Sequence, residues 1–121
     1  RGDKHSVVKM AEACKRSLSQ GVSVFMFPEG TRTRNGAIQE FREGAFILAR
    51  DVEIPILPIV IEGASSALPK KGFWFRVNQV FIVRVLDEIP AKTIHELDLH
   101  QLIDHSRNAM VAELEQMRRM Q

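Results

Sequence analysis

The stretch Phe25-Met26-Phe27-Pro28-Glu29-Gly30-Thr31-Arg32-Thr33-Arg34-Asn35-Gly36 decides how the rest of the chain is read. Val22-Ser23-Val24-Phe25 at its front is apolar and β-branched, bounded by Gly21 and Pro28, which predicts a short buried strand over residues 22–27. Residues 41–50 behind it read as a helix, so the chain runs strand, polar loop, helix. Ligands of α/β folds bind in loops at the carboxyl ends of strands. This loop suits an anion. Arg32 and Arg34 offer planar forks that match phosphate oxygens in pairs. Gly30 permits a close backbone approach, and successive N–H groups there can form an anion-binding nest. Glu29 would pre-orient an arginine or fix a ligand hydroxyl. Composition alone leaves a second reading open, a solvated turn with a structural Glu–Arg pair.

The order of the residues narrows this. Phe27-Pro28-Glu29-Gly30-Thr31-Arg32 resembles the third signature block of the glycerolipid acyltransferases, specifically the lysophosphatidate acyltransferases. Phe41-Arg42-Glu43-Gly44-Ala45-Phe46 resembles the helix that follows that block. Ile54-Pro55-Ile56-Leu57-Pro58-Ile59-Val60-Ile61 resembles the family's fourth block, a proline-punctuated apolar strand. The resemblance runs from Arg1 to about Asn108, with Arg1 at or just past the second block. It implies an α/β fold, a mainly parallel sheet flanked by helices, with residues 1–121 forming the C-terminal portion of an incomplete acyltransferase domain. Glu29, Gly30, Thr31 and Arg32 would then hold the acceptor's phosphate, with Arg34 assisting.

The family's reaction is acyl transfer from a coenzyme A or carrier-protein thioester to a lysophospholipid hydroxyl. A His acts as general base, and an Asp beyond four intervening residues orients it. No His of this chain has that partner: the fifth residue past His5 is Met10, past His95 is His100, past His100 is His105 and past His105 is Met110. The resemblance therefore implies the substrate-binding part of an acyltransferase without its catalytic block. It implies no cofactor, an acyl-CoA or acyl carrier protein donor, and a membrane-associated setting on the cytoplasmic face. Two other classes stand beside it: a non-catalytic phosphate- or lipid-binding module, and a related acyltransferase with another acceptor.

Composition agrees. A chain of 121 residues, 45% hydrophobic, holds at most one domain with a real core. Its net charge of +2 is too weak to argue for nucleic acid. The single Cys14 cannot form an internal disulfide, fits a reducing compartment and reads as a small buried hydrophobe. No apolar run approaches the ~20 residues needed to span a bilayer, and none reads as a signal peptide. Arg1-Gly2-Asp3 spells an integrin-binding tripeptide, too short to weigh.

Around the loop, residues 5–19 predict a helix with Ser6 as N-cap, an apolar face of Val7, Met10, Ala11, Cys14 and Leu18, and Gly21 as C-terminal cap. Asn35-Gly36 is a turn signal. The helix over residues 39–50 should bury Phe41, Ala45 and Leu48. Residues 54–61 predict a parallel-type strand, buried on both faces, in which Pro55 and Pro58 demand a gap or bulge. A third strand spans residues 77–86, broken near Asn78-Gln79. Thr93-Ile94-His95-Glu96 has the form of a capping box, or Asp98 caps the last helix instead. That helix covers residues 99–117, with a stripe of Leu99, Leu102, Ile103, Met110, Leu114 and Met117.

His95, His100 and His105 recur every five residues, which spreads them around a helix, so a metal site is not expected. Asp87 with Glu88, and Asp98 with Asp104, read as solvated carboxylates. Lys70-Lys71 beside Phe73-Trp74-Phe75 reads either as core aromatics with solvated lysines or as an interfacial lipid patch. A sheet lacking preceding strands predicts self-association.

Overall fold

The computed structural model describes residues 4–30, 36–63 and 81–120. Helix α1 (Lys4–Ser19) ends as Gly21 predicts. Gly21 takes φ +81°, its N–H donates to the Leu18 carbonyl at 3.1 Å, and the Val22 N–H donates to Ser17 at 3.0 Å. Together these bonds form a Schellman motif. Cys14, Ala11 and Leu18 are half-buried, but Met10, expected on the inner face, is 52% exposed. Lys15 Nζ lies 3.8 Å from Asp51 Oδ2 at the end of the second helix.

The predicted strand over residues 22–27 does not form. The segment joins no ladder among the described residues, and Phe25 and Phe27 are 59% and 71% exposed. Its β-branched composition specifies a backbone that wants a partner, and a partner is not specified locally.

Helix α2 (Gly44–Asp51) starts later than expected, because the backbone before it is committed to the loop described below. It buries Phe46, Leu48 and Ala49, while Phe41 and Ala45 pack partly buried against the same core. The strands β1 (Ile59–Glu62) and β2 (Ile82–Val85) pair antiparallel, with Ile59 opposite Val85 and Glu62 opposite Ile82. The expected parallel pairing of the Ile54–Ile61 region is thus corrected among the described residues: its partner is β2, running the other way. Residues 77–80, the rest of the predicted third strand, lie outside the described residues, as does the segment from Lys70 to Phe75.

Pro58 acts as anticipated. The Leu86 N–H donates to the Pro58 carbonyl at 2.9 Å, in register with β1 and β2. One step on, Ile56 and Ile89 exchange both backbone bonds, at 3.0 and 2.7 Å. Asp87 and Glu88 therefore stand opposite Leu57 alone, which is a bulge. Pro58 sits at a ladder position where it accepts and cannot donate.

Helix α3 (Ala91–Glu96) follows, then α4 (Leu99–Arg119). Of the two predicted caps, Asp98 is the one that forms: its side chain accepts from the Gln101 N–H at 2.8 Å, and Gln101 Oε1 accepts from the Asp98 N–H at 3.2 Å. Thr93 lies inside α3. The α4 stripe is as predicted, with Leu102, Leu114 and Met117 buried and Ser106 buried among them, its hydroxyl bonded to the Leu102 carbonyl at 2.8 Å. Phe46, Ala49, Ile89, Ile94 and Leu102 form one core cluster; Val60, Leu114 and Met117 form a second, onto which Ile38 packs. Arg50 Nη2 reaches the carbonyl of Leu97 at 2.6 Å, tying α2 to the end of α3. No helix among the described residues is long and apolar enough to cross a membrane.

Candidate functional site

The loop opens with a tight turn. The Gly30 N–H donates to the Phe27 carbonyl at 3.1 Å, placing Pro28 and Glu29 at its corners. Proline is suited to the first corner because its φ is already set. Gly30 has φ +76°, and a Cβ there would lie 2.8 Å from Arg42 Nε, so the Arg42 side chain covers the glycine backbone. Only glycine meets both requirements without cost.

The loop is closed at its neck by the Arg42 N–H, which donates to the Pro28 carbonyl at 2.8 Å. Just inside, Glu29 Oε2 accepts from the Gln39 N–H at 2.7 Å. These two bonds draw residues 39–42 out of helical geometry and explain the late start of α2. The structure thus gives Glu29 a bracing contact across the loop.

The returning limb is held from α4 by two arginines about three turns apart on one face. Arg107 Nε donates to the Gln39 carbonyl at 2.9 Å, and its Nη2 to the Ile38 carbonyl at 2.7 Å. Arg118 Nη2 donates to the Gly36 carbonyl at 2.5 Å, and its Nε meets the Glu62 carboxylate. Gly36, at φ +75°, supplies the bend that Asn35-Gly36 signalled. The hydrogen bond from Arg118 holds the Glu62 carboxyl below its ordinary value, against burial, which pushes it up; the Gly63 N–H and the Arg118 charge add to the lowering.

Of the residues predicted to bind the acceptor, Glu29 and Gly30 are placed at this turn; Thr31, Arg32 and Arg34 lie outside the described residues. Sequence reasoning missed Arg42, Arg107 and Arg118 as parts of the site. A signal was present for Arg107, which follows Ile103 by four residues and precedes Met110 by three, inside the apolar stripe, where an arginine requires acceptors. Two open clefts, of about 370 and 480 Å³, lie against His95 and against His105 and do not involve the loop. His95, His100 and His105 are all exposed, and His100 Nε2 lies 3.3 Å from Asp104 Oδ2. Among the described residues no three His, Cys, Asp or Glu side chains could hold a metal ion.

The chain belongs to the acyltransferase family: the family model described as Acyltransferase matches residues 1–62, a span that includes the proline-cornered turn. Among known proteins, the chain is similar to the human 1-acyl-sn-glycerol-3-phosphate acyltransferase alpha, 39% identical over 110 residues, covering 91% of this chain and 38% of that protein. The human beta enzyme of the same name is 36% identical over 84% of this chain and 36% of its own length. The fold is that of the 1-acyl-sn-glycerophosphate (LPA) acyltransferase PlsC of Thermotoga maritima, with a TM-score of 0.78 at 22% identity, over 89% of this chain and 44% of that one. The chain spans little more than a third of the length of these two human relatives.

Proposed function

We propose that residues 1–121 are the C-terminal portion of a glycerolipid acyltransferase domain, and that the whole protein transfers an acyl chain from acyl-CoA or acyl carrier protein to lysophosphatidate, giving phosphatidate. The single observation that carries this is the braced turn at Pro28-Glu29-Gly30, which Thr31-Arg32 follow in sequence, in a chain of this family. In the reaction, the acceptor hydroxyl attacks the thioester carbon. Its proton passes to the family's His, the C–S bond breaks, and the thiol leaves with a proton. The His and its Asp lie outside these 121 residues, and no cofactor takes part.

The acceptor's phosphate is the group this loop serves. Arg32 is its main contact, Thr31 and the Gly30 backbone contribute hydrogen bonds, Arg34 assists, and Glu29 keeps the turn in shape. Residues 22–27 complete a mainly parallel sheet once strands from the rest of the domain lie beside them, which accounts for an apolar, exposed segment without a ladder. The setting is a membrane surface on its cytoplasmic face. The test is thiol release by the complete protein with acyl-CoA and one of two acceptors, lysophosphatidate or lysophosphatidylcholine, whose phosphate is esterified on both sides. Preference for lysophosphatidate supports the reading. Equal use of both points to another acceptor, and no thiol release with either points to a binding module.

A further inference from the structure

Arg42 is tied to the Pro28-Glu29-Gly30 turn by its main chain and carries its charge over it. Its N–H donates to the Pro28 carbonyl at 2.8 Å, which fixes the root of the side chain at the turn. The side chain then folds back over Gly30: a Cβ at position 30 would lie 2.8 Å from Arg42 Nε and 3.1 Å from its Cδ and Cζ. The guanidinium thus takes up the space that any residue but glycine would fill. Neighbouring arginines are committed elsewhere. Arg107 donates to Ile38 and Gln39, Arg118 to Gly36 and Glu62, and Arg50 to Leu97. Arg42 is exposed, and among the described residues its guanidinium donates to no acceptor and has no carboxylate within 4 Å. The Glu29 carboxylate of the same turn accepts from the Gln39 N–H instead. Five N–H donors of a permanent cation are therefore free beside the turn.

We propose that Arg42 is a binding residue for the acceptor: from its seat over Gly30 it contacts the phosphate of the lysophospholipid. This rests on the reading of the turn as the acceptor-phosphate site. A phosphate monoester presents three terminal oxygens and a charge of about −1.5 to −2 near neutral pH. One guanidinium fork engages two of those oxygens, which leaves an oxygen and part of the charge for a second cation. A coenzyme A thioester carries a phosphate monoester of its own, so the two substrates are titrated apart. A side chain that served only to cover the glycine would need its stem and not its charge. A binding residue changes the acceptor's KM and leaves the donor's unchanged.

The experiment uses the complete protein, as parent, Arg42→Gln and Arg42→Lys, with lysophosphatidate and acyl-CoA titrated separately. Glutamine reproduces the side chain as far as the Nε position, keeps the main-chain N–H that closes the neck, and lacks the charge. Arg42→Gln should raise the lysophosphatidate KM about tenfold, the equivalent of one charge-assisted hydrogen bond. The acyl-CoA KM should move by less than about twofold, within the scatter of independent sites. Arg42→Lys, which keeps a cation for the remaining oxygen, should recover most of the loss. An unchanged lysophosphatidate KM in Arg42→Gln, a rise confined to the acyl-CoA KM, or a lysine variant as impaired as the glutamine one would overturn the proposal. The underlying reading is checked on the parent with lysophosphatidylcholine as acceptor. If the parent uses it as well as lysophosphatidate, the acceptor-phosphate reading falls, and this inference with it. If the parent prefers lysophosphatidate while Arg42→Gln leaves its KM unchanged, the role of Arg42 falls and the reading of the turn stands.

Discussion

Arg118 and Glu62 pair between the last turn of α4 and the end of β1, and the same guanidinium holds the Gly36 carbonyl. One side chain thus joins the sheet, the longest helix and the loop. The pair has a pH signature. Glu62 is held below its ordinary value of 4.5, chiefly by the Arg118 hydrogen bond. A carboxyl with a lowered folded-state pKa adds stability that is present above its unfolded pKa and lost as pH falls through the folded one. Glu62→Gln should therefore melt at a lower temperature than the parent at pH 7, and the difference should begin to shrink below about pH 4.5 and vanish as pH falls through the lowered folded-state pKa. Melting temperatures from pH 3 to 7 test this; two parallel curves would show that the pair contributes nothing that titrates.

Two glycines make a matched contrast. Gly30 stands at φ +76° under the Arg42 side chain, so an alanine there meets a left-handed backbone and a close contact together. The contact is relieved by swinging the exposed arginine, but the backbone term stays, and Gly30→Ala should cost about 1–2 kcal/mol. Gly44 begins α2 with open space where an added methyl group would lie, nothing being within 4 Å, so Gly44→Ala should stabilise by about 0.5–1 kcal/mol. Chemical denaturation of both variants measures the difference, and equal effects would mean the turn does not impose its φ in solution.

The outer face of the small sheet bears on behaviour in solution. Ile61 and Val83 pair across β1 and β2, and with Phe81 and Val85 they leave an apolar row 40–60% exposed. Phe25 and Phe27 add an exposed aromatic pair with ring centroids 5.3 Å apart. Expressed alone, the 121-residue chain should self-associate and melt in a concentration-dependent way. Val83→Lys, in the middle of the row, should reduce light scattering at equal concentration. The chain alone should also show no acyltransferase turnover, since loss of a general base typically costs ~10²–10⁴ in rate. A concentration-independent monomer, or turnover by the 121 residues, would contradict these expectations.

What the sequence revealed and what it hid follow from the range of the forces involved. Gly21 as a cap, Asp98 as a cap and the α4 stripe were legible because each rests on residues within a turn or two of one another. The bulge was legible too, since Pro58 removes a donor wherever it is placed. The order Phe27 to Arg32 revealed the family. The helix start at Gly44 was hidden, because helical propensity extends back to Gln39 and is overridden by groups ten or more residues away, the Glu29 carboxylate and the Pro28 carbonyl. The exposure of Phe25 and Phe27 was hidden for the opposite reason: apolar composition reports a need for burial and says nothing of what supplies it. Arg107 joins segments nearly seventy residues apart, and no local pattern carries that distance.

Arg32 is expected to be the principal contact of the acceptor phosphate. It follows Gly30 by two residues in the sequence, within the block that resembles the family's third signature. Its guanidinium stays charged at any accessible pH and can pair two phosphate oxygens. Charge-assisted hydrogen bonds contribute ~1.5–3 kcal/mol each, so Arg32→Ala should raise the acceptor's dissociation constant at least ~10-fold. Arg32→Lys keeps the charge but loses the fork, and should still weaken binding. The acyl donor should be little affected, because its thioester engages a different part of the site. Both substrates are to be titrated separately in the complete protein. If Arg32→Ala left acceptor binding unchanged while Arg34→Ala abolished it, the role would pass to Arg34. If neither substitution mattered, the loop that Glu29, Arg107 and Arg118 hold in place would be a structural element, and the anion it was read to bind would have to be sought elsewhere.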